Sequence, residues 1–169
     1  MQHGLPAHLL ELELTESILL QDAQEMAARV PAIADLGVGL VIDDFGTGYS
    51  SLGYLKKLPI AKIKIDQSFV RGLPHDAGDR AIVSAIISLG QALGMEVVAE
   101  GVETCAQRDC LRDMQCHFFQ GFLCAPGLPA DVFSERMRSQ GVAREDDWNA
   151  AAETVPGWIA AQSGERGRQ

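Results

Sequence analysis

Val38-Gly39-Leu40-Val41-Ile42-Asp43-Asp44-Phe45-Gly46-Thr47-Gly48-Tyr49-Ser50-Ser51 contains the repeating unit of this chain. The run from Val38 to Ile42 is short, apolar and partly β-branched, which suits a strand. Two carboxylates end it. Two glycines then permit a tight loop with unusual dihedrals. Ser50 or Ser51 caps a short helix that stops before Pro59. The same order of strand, acid and helix recurs along the chain. Leu9-Leu10-Glu11-Leu12 leads into Glu13-Leu14-Thr15-Glu16, Ile60-Ala61-Lys62-Ile63 into Lys64-Ile65-Asp66, and Met95-Glu96-Val97-Val98-Ala99 into Glu100-Gly101-Val102-Glu103. Repetition in register implies that the strand ends converge. Converging carboxylates repel unless a cation sits among them, so a divalent metal site is the first hypothesis.

The segments between these runs read as helices. Leu19, Ala23, Met26, Ala27, Val30, Ile33 and Ala34 fall at i, i+3 and i+4 spacings, predicting a helix from Thr15-Glu16-Ser17 to about Leu36, ended by Gly37. Asp76 to Asp79 opens a long helix through Leu93, with Gly94 as its C-cap. Thr104 caps a helix reaching about Met114. Phe118-Phe119-Gln120-Gly121-Phe122 reads as a fifth strand, and a last helix runs from Ala130 to Ser139. Strand and helix alternating five times predict an α/β fold with a parallel sheet. The strands are apolar along most of their length, as expected when both faces are covered. Such sheets bind ligands at the C-terminal strand ends, where all the acidic clusters lie. Beyond Gln140 the pattern weakens. The expected organisation is a domain over residues 1–140 and a polar tail over 141–169, with room for a loose helix from Asp147 to Ala161.

Composition limits the partners. A chain of 169 residues suits one domain, and 47% apolar with 22% charged residues is a globular balance. The net charge of −9 excludes sequence-independent binding to long nucleic acid, which needs a basic face. A small phosphate ligand held through metal ions stays compatible. No apolar stretch approaches the roughly 20 residues of a membrane span. Neither a signal peptide nor a lipidation motif is visible at Met1. Cys105, Cys110, Cys116 and Cys124 lack CxxC spacing, so reduced thiols in a cytoplasmic protein are expected.

The carboxylates admit more than one reading. Adjacent side chains of a strand point to opposite sides, but at its end Asp43 and Asp44 can both turn toward one pocket. Two metal ions roughly 3.5–4 Å apart use such a pair as shared ligands. An Asp before Gly-x-Gly also suits a plain turn. A dinucleotide fold is disfavoured: Ser51 stands at the third glycine of Gly46-x-Gly48-x-x-Ser51, and two aspartates repel a bare pyrophosphate. Lys64 and Asp66 share one side of their strand, as a structural ion pair or as a lysine that holds water and offsets phosphate charge. Glu13 and Glu16 bracket the turn after the first strand, where Glu16 also suits a helix N-terminus. Glu100 and Glu103 pose the same choice, and Gln120 is a polar tip after two aromatics.

Five segments together resemble the EAL domain, a (β/α)8 TIM-barrel phosphodiesterase acting on cyclic di-GMP. They are Leu12-Glu13-Leu14-Thr15-Glu16-Ser17, Asp43 to Ser51, Lys64-Ile65-Asp66-Gln67-Ser68-Phe69-Val70, Ala99-Glu100-Gly101-Val102-Glu103-Thr104 and Gln120-Gly121-Phe122-Leu123, in matching order over about residues 5–138. The resemblance implies that Glu13, Asp43 and Asp44 are ligands for Mg²⁺ or Mn²⁺ and that Asp66 helps hold the second metal or its water. It implies that Lys64 positions the attacking water and that Glu100 is a general base or binds through water. Glu16 would anchor the loop from Phe45 to Ser51, which family members use for the metal site and a dimer contact. Glu103 would support the site from behind, and Gln120 would touch substrate. The implied reaction is metal-assisted hydrolysis of one phosphodiester to give the linear dinucleotide.

The chain also departs from the pattern. It holds five strand units, matching the later strands of an eight-stranded barrel that typically takes about 250 residues. The signature Glu-Ala-Leu segment and the asparagine-bearing strand after it, both sources of metal ligands in the family, are absent. Pro126 of Cys124-Ala125-Pro126-Gly127-Leu128-Pro129 stands where an arginine is usual. A cut barrel exposes strand edges, here expected at Leu9–Leu14 and Phe118–Phe122. The expectation is a partial EAL domain, weakly active or inactive alone. The alternative is a non-catalytic cyclic di-GMP-sensing or interaction module on the same scaffold.

Overall fold

The computed structural model describes residues 4–21, 23–48 and 52–140. Five strands, β1 (Glu11–Thr15), β2 (Gly39–Phe45), β3 (Lys62–Ile65), β4 (Glu96–Ala99) and β5 (Phe118–Phe119), form one sheet in sequence order. Every pairing is parallel. The helices between them are α1 (Glu16–Gln21), α2 (Ala23–Ala34), α3 (Leu52–Leu55), α4 (Gln67–Arg71), α5 (Ala77–Leu93) and α6 (Cys105–Asp113), and α7 (Ala130–Gln140) follows β5. Spatial order equal to chain order, with all strands parallel, is the arrangement of a (β/α)8 barrel. Five of its units are present.

The register separates two faces, because paired residues of parallel strands project to the same side. Leu14, Ile42, Ile63 and Val97 align in one row, and Phe45, Ile65, Ala99 and Phe119 in the next. This face carries the core, closed from outside by Val83, Ile86 and Ile87 of α5, by Val70 of α4 and by Leu111 of α6. Each fully buried Ile or Val contributes about 1.5–3 kcal/mol. Gly90 lets α5 approach closely: a Cβ there would lie 2.3 Å from Val97 Cγ2.

The other face differs from expectation. Instead of apolar cover it carries Glu11 and Glu13 on β1, Lys62 and Lys64 on β3, and Glu96 on β4. Lys62 lies 2.5 Å from Glu11 Oε1 and 3.6 Å from Glu96 Oε2, with its ammonium 5.8 Å from the Phe118 ring centre. β1 and β3 alternate charged and apolar residues, and Val41 of β2, in register with Glu13 and Lys62, is buried on the charged face.

Several boundaries move. Ala7–Leu9 is a 3₁₀ turn, so β1 starts at Glu11 and Glu13 lies in its middle, not at its end. The first open edge therefore belongs to Glu11–Thr15. β5 is two residues long, and Gln120 to Phe122 fall outside it. The turn of helix α4 directly after β3 has no counterpart in the sequence reading; Asp66 caps it, accepting from the Ser68 amide at 2.9 Å. The long helices agree with the spacing: Asp76 and Gly94, in left-handed conformation at φ 70°, bound α5, and Thr104 caps α6. The cap at Ser50 or Ser51, the helix from Asp147 to Ala161 and the tail over 141–169 lie outside the described residues. No helix among the described residues is long and apolar enough to cross a membrane.

Candidate active site

Asp43 and Asp44 reach one pocket through a bulge rather than a frayed end. The register shifts between Ile42 and Phe45, so two residues of β2 oppose one of β3. Asp44 takes the left-handed conformation, φ 54°, which a short polar side chain tolerates. Without the shift the two carboxylates would face opposite sides. With it, carboxylate oxygens of Asp43, Asp44 and Glu100 lie within 4.8 Å of one another.

Lys64 ties this group together. Its ammonium lies 2.6 Å from Glu100 Oε1, 2.8 Å from Glu13 Oε1 and 3.1 Å from Asp43 Oδ1. Glu13 thus joins the trio only through Lys64. Burial disfavours the charged amine, but hydrogen bonds to Glu100, Glu13 and Asp43 outweigh it and hold Lys64 firmly protonated. Burial pushes the Glu100 carboxyl up, and Lys64 opposes the rise. Asp44 is raised by burial and by the charges of Asp43 and Asp66. Asp66 is lowered: burial works against its ionisation, but bonds from Ser68, Asp44 and the Gln67 backbone prevail.

The loops behind the pocket are fastened by buried acceptors. The Glu16 carboxylate, 3% exposed, accepts from the Gly46 and Gly48 amides at 3.1 and 3.2 Å. Gly46 needs its positive φ of 102°, and a Cβ on Gly48 would sit 3.2 Å from the Glu16 carboxylate. The Gln120 amide donates to Glu100 Oε1 at 2.6 Å. Gly121, at φ 154°, packs so tightly on the Val102 backbone that a Cβ would lie 2.3 Å from its carbonyl oxygen. Glu103 is exposed, and among the described residues no hydrogen bond or ion pair joins its carboxylate to these groups.

Gln107 escaped the sequence reading. Its buried side chain accepts from the Glu103 and Thr104 amides at 2.9 Å and donates to the Val70 carbonyl at 3.3 Å. It pins the loop after β4, and with it Glu100, to the end of α4. Thr104-x-x-Gln107 is a capping-box spacing that would have identified it. Near Pro126, Arg136 of α7 donates to the Cys124 carbonyl at 3.1 Å.

The three carboxylates thus gather on the charged face of the sheet, at the C-terminal strand ends. The sequence model of the EAL domain fits residues 1–127. The chain belongs to the EAL family. MucR of Pseudomonas aeruginosa, a bifunctional diguanylate cyclase/cyclic di-GMP phosphodiesterase, is 49% identical over 132 residues, which cover 78% of this chain and 19% of that protein. Relatives of this kind are several times longer, and the chain spans about a fifth of their length. The solved PaMucR phosphodiesterase in complex with c-di-GMP superposes with a TM-score of 0.76 at 48% identity, covering 78% of this chain and 53% of that one. BlrP1 of Klebsiella pneumoniae, solved with manganese and cy-diGMP, gives a TM-score of 0.68 at 35% identity over 73% of this chain and 31% of that one. The EAL assignment agrees with the parallel strand order and with the oxygen-rich pocket, whose donors suit hard divalent cations.

Proposed function

We propose that this EAL chain is the part of a cyclic di-GMP phosphodiesterase that hydrolyses one phosphodiester to leave the linear dinucleotide, with Mg²⁺ or Mn²⁺ as cofactor. The observation that carries the reading is the convergence of Asp43, Asp44 and Glu100 on the charged face, within 4.8 Å of one another. The adjacent oxygens of Asp43 and Asp44 fit a hard cation, and Glu100 stands close enough to act on water beside it. When bound, such a cation lowers the pKa of water and offsets phosphate charge.

The side chains divide the remaining tasks. Asp43 and Asp44, with Glu13, hold the cation, and Asp66 supports its neighbour Asp44. Glu100 takes the proton from water, and Lys64 orients that water while facing the phosphate. Gln120 keeps Glu100 aimed and reaches the substrate. Glu16 fixes the loop from Phe45 to Ser51, which also carries a homodimer contact. Glu103 acts through the loop that Gln107 fastens. Residues 1–140 are the catalytic part and 141–169 a tail. The isolated chain is weakly active or inactive, because five strands leave the pocket open on the β1 and β5 sides.

The test is turnover of cyclic di-GMP by the purified chain with Mg²⁺ or Mn²⁺, read by chromatography of the linear dinucleotide. It is run beside a version extended by the preceding barrel strands of a relative. The extended version should be much faster, and Glu100→Ala should abolish its product. Turnover that survives Glu100→Ala refutes these roles. Tight binding of cyclic di-GMP by the extended version without turnover replaces them with a sensing function.

A further inference from the structure

We propose that His117 is a positioning residue for the site: its neutral ring is a rung between β4 and β5, and acid opens that rung. β5 is only two residues long and begins where Phe118 pairs with Val98. The amide of Val97 lies one residue earlier, before β5 has begun. The His117 ring provides the acceptor there, its Nδ1 taking a hydrogen bond from the Val97 amide at 3.1 Å. Val97 is fully buried, and a buried amide without an acceptor is destabilising. The Cys116 thiol sits beside it, 3.5 Å from the Val97 carbonyl oxygen and 3.3 Å from that of Phe118. Two side chains thus extend a ladder that the backbone leaves short.

The rung holds one end of a pair of segments whose other end is the site. Three residues on from Val97 and His117 stand Glu100 and Gln120, joined at 2.6 Å through the Gln120 side-chain amide. Between the two ends, the Gln120 backbone amide donates to the Ala99 carbonyl at 2.8 Å. In so short a ladder, losing one end changes how β5 sits against β4, and so where Gln120 meets Glu100. The consequence for catalysis rests on the role proposed above for Glu100; the rung itself does not. A ring nitrogen accepts only while it carries no proton, and an imidazolium has no acceptor. Histidine is the side chain whose charge changes between about pH 5 and 8. Folding favours the neutral ring here, so the stability that the rung contributes is present in neutral solution and is lost as pH falls. The other charged or titratable groups on the elements that meet here are few. Glu96 of β4 lies 3.6 Å from Lys62 of β3, and Arg112 and Asp113 at the end of α6 are 3.9 Å apart. Burial pushes Cys116 up to about 11, so it stays a thiol while the ring titrates. The end of α5 brings Gln91, whose side-chain amide donates to the Gln115 carbonyl at 3.3 Å.

The experiment is NMR of the whole chain at about pH 8 and about pH 5, beside His117→Asn and His117→Gln. Asn puts an oxygen where Nδ1 stands and does not titrate, whereas Gln carries its acceptor further out. In the wild type at the higher pH, Nδ1 should carry no proton. At the lower pH the Val97 amide should lose roughly tenfold in hydrogen-exchange protection factor, the equivalent of one hydrogen bond. His117→Asn should keep that protection at both pH values, and His117→Gln should lack it at both. The Gln120 side-chain amide signals should shift as the wild-type rung opens, by more than they shift in His117→Asn over the same range. A ring that merely fills space would leave Asn and Gln equally impaired at both pH values, which overturns the proposal. Val97 protection that is the same at both pH values in the wild type overturns it too. A proton on Nδ1 at the higher pH does so without any variant. Gln120 signals that shift equally in wild type and His117→Asn refute the positioning role. None of these readouts uses turnover, so the rung can fail while the role of Glu100 stands, and the reverse.

Discussion

Replacing Glu16 with alanine should release the loop after Asp44 while leaving the core intact. One buried carboxylate oxygen accepts from both the Gly46 and Gly48 amides. Hydrogen bonds to a charged group contribute about 1.5–3 kcal/mol each, so losing two costs about 3 kcal/mol at the low end. At about 1.4 kcal/mol per factor of ten, the two amides should lose roughly 100-fold in hydrogen-exchange protection. Glu16→Gln keeps an acceptor oxygen and removes the charge, so roughly half of that loss is expected on the free-energy scale. The amide of Ile87, in the middle of α5, serves as the control and should change little. The effect should reach the site, because Thr47 Oγ1 donates to the Asp44 carbonyl at 2.9 Å and so links the loop to the bulge. Mg²⁺ binding should weaken in parallel. Unchanged protection at Gly46 and Gly48 in Glu16→Ala would refute the anchoring argument, and so would an equal loss at Ile87.

Three further outcomes follow from the geometry. Gly121→Ala should cost about 3 kcal/mol or more in urea unfolding, since its Cβ would meet the Val102 backbone at 2.3 Å; a midpoint within error of the wild type would contradict it. Gln107→Ala should cost about 2–3 kcal/mol by removing the acceptor for two amides and the donor to Val70, whereas Gln107→Glu, which keeps the acceptor, should cost less. Burial pushes the Cys116 thiol up to about 11 from 9.0. Its folded pKa exceeds its unfolded one, so the stability it contributes is complete below pH 9 and is lost as pH rises toward 11. Cys116→Ala should lack that part of the alkaline decline in thermal melts, and identical slopes in the two proteins would count against it.

How much of this was legible depends on the kind of interaction. The strand order, the caps at Asp76 and Thr104 and the stop at Gly94 depend on residues close in sequence, and the pattern gives them away. The acidic clusters could be placed at strand ends because parallel βα units leave few other places for them. The face of the sheet was misjudged for a related reason. Glu11-Leu12-Glu13-Leu14 and Lys62-Ile63-Lys64-Ile65 alternate strictly, which is the mark of one dry and one polar face, whereas the apolar run of β2 between them resembles a strand covered on both sides. The pairings that bind those charges were not readable at all. Lys64 meets Glu13, Asp43 and Glu100 only because three strands lie in one register, and no spacing along the chain encodes that.

The bulge at Asp43-Asp44 shows why sequence and site diverge most where function is concentrated. A regular strand would satisfy the backbone better and keep Asp44 out of the left-handed region, at a local strain of order 1–3 kcal/mol. What offsets it is visible nearby: Glu16 holds the following loop by two amides, and the Asp44 carbonyl is bonded by the Thr47 hydroxyl. Two carboxylates side by side then gain a cation between strands, in Lys64, that limits their repulsion.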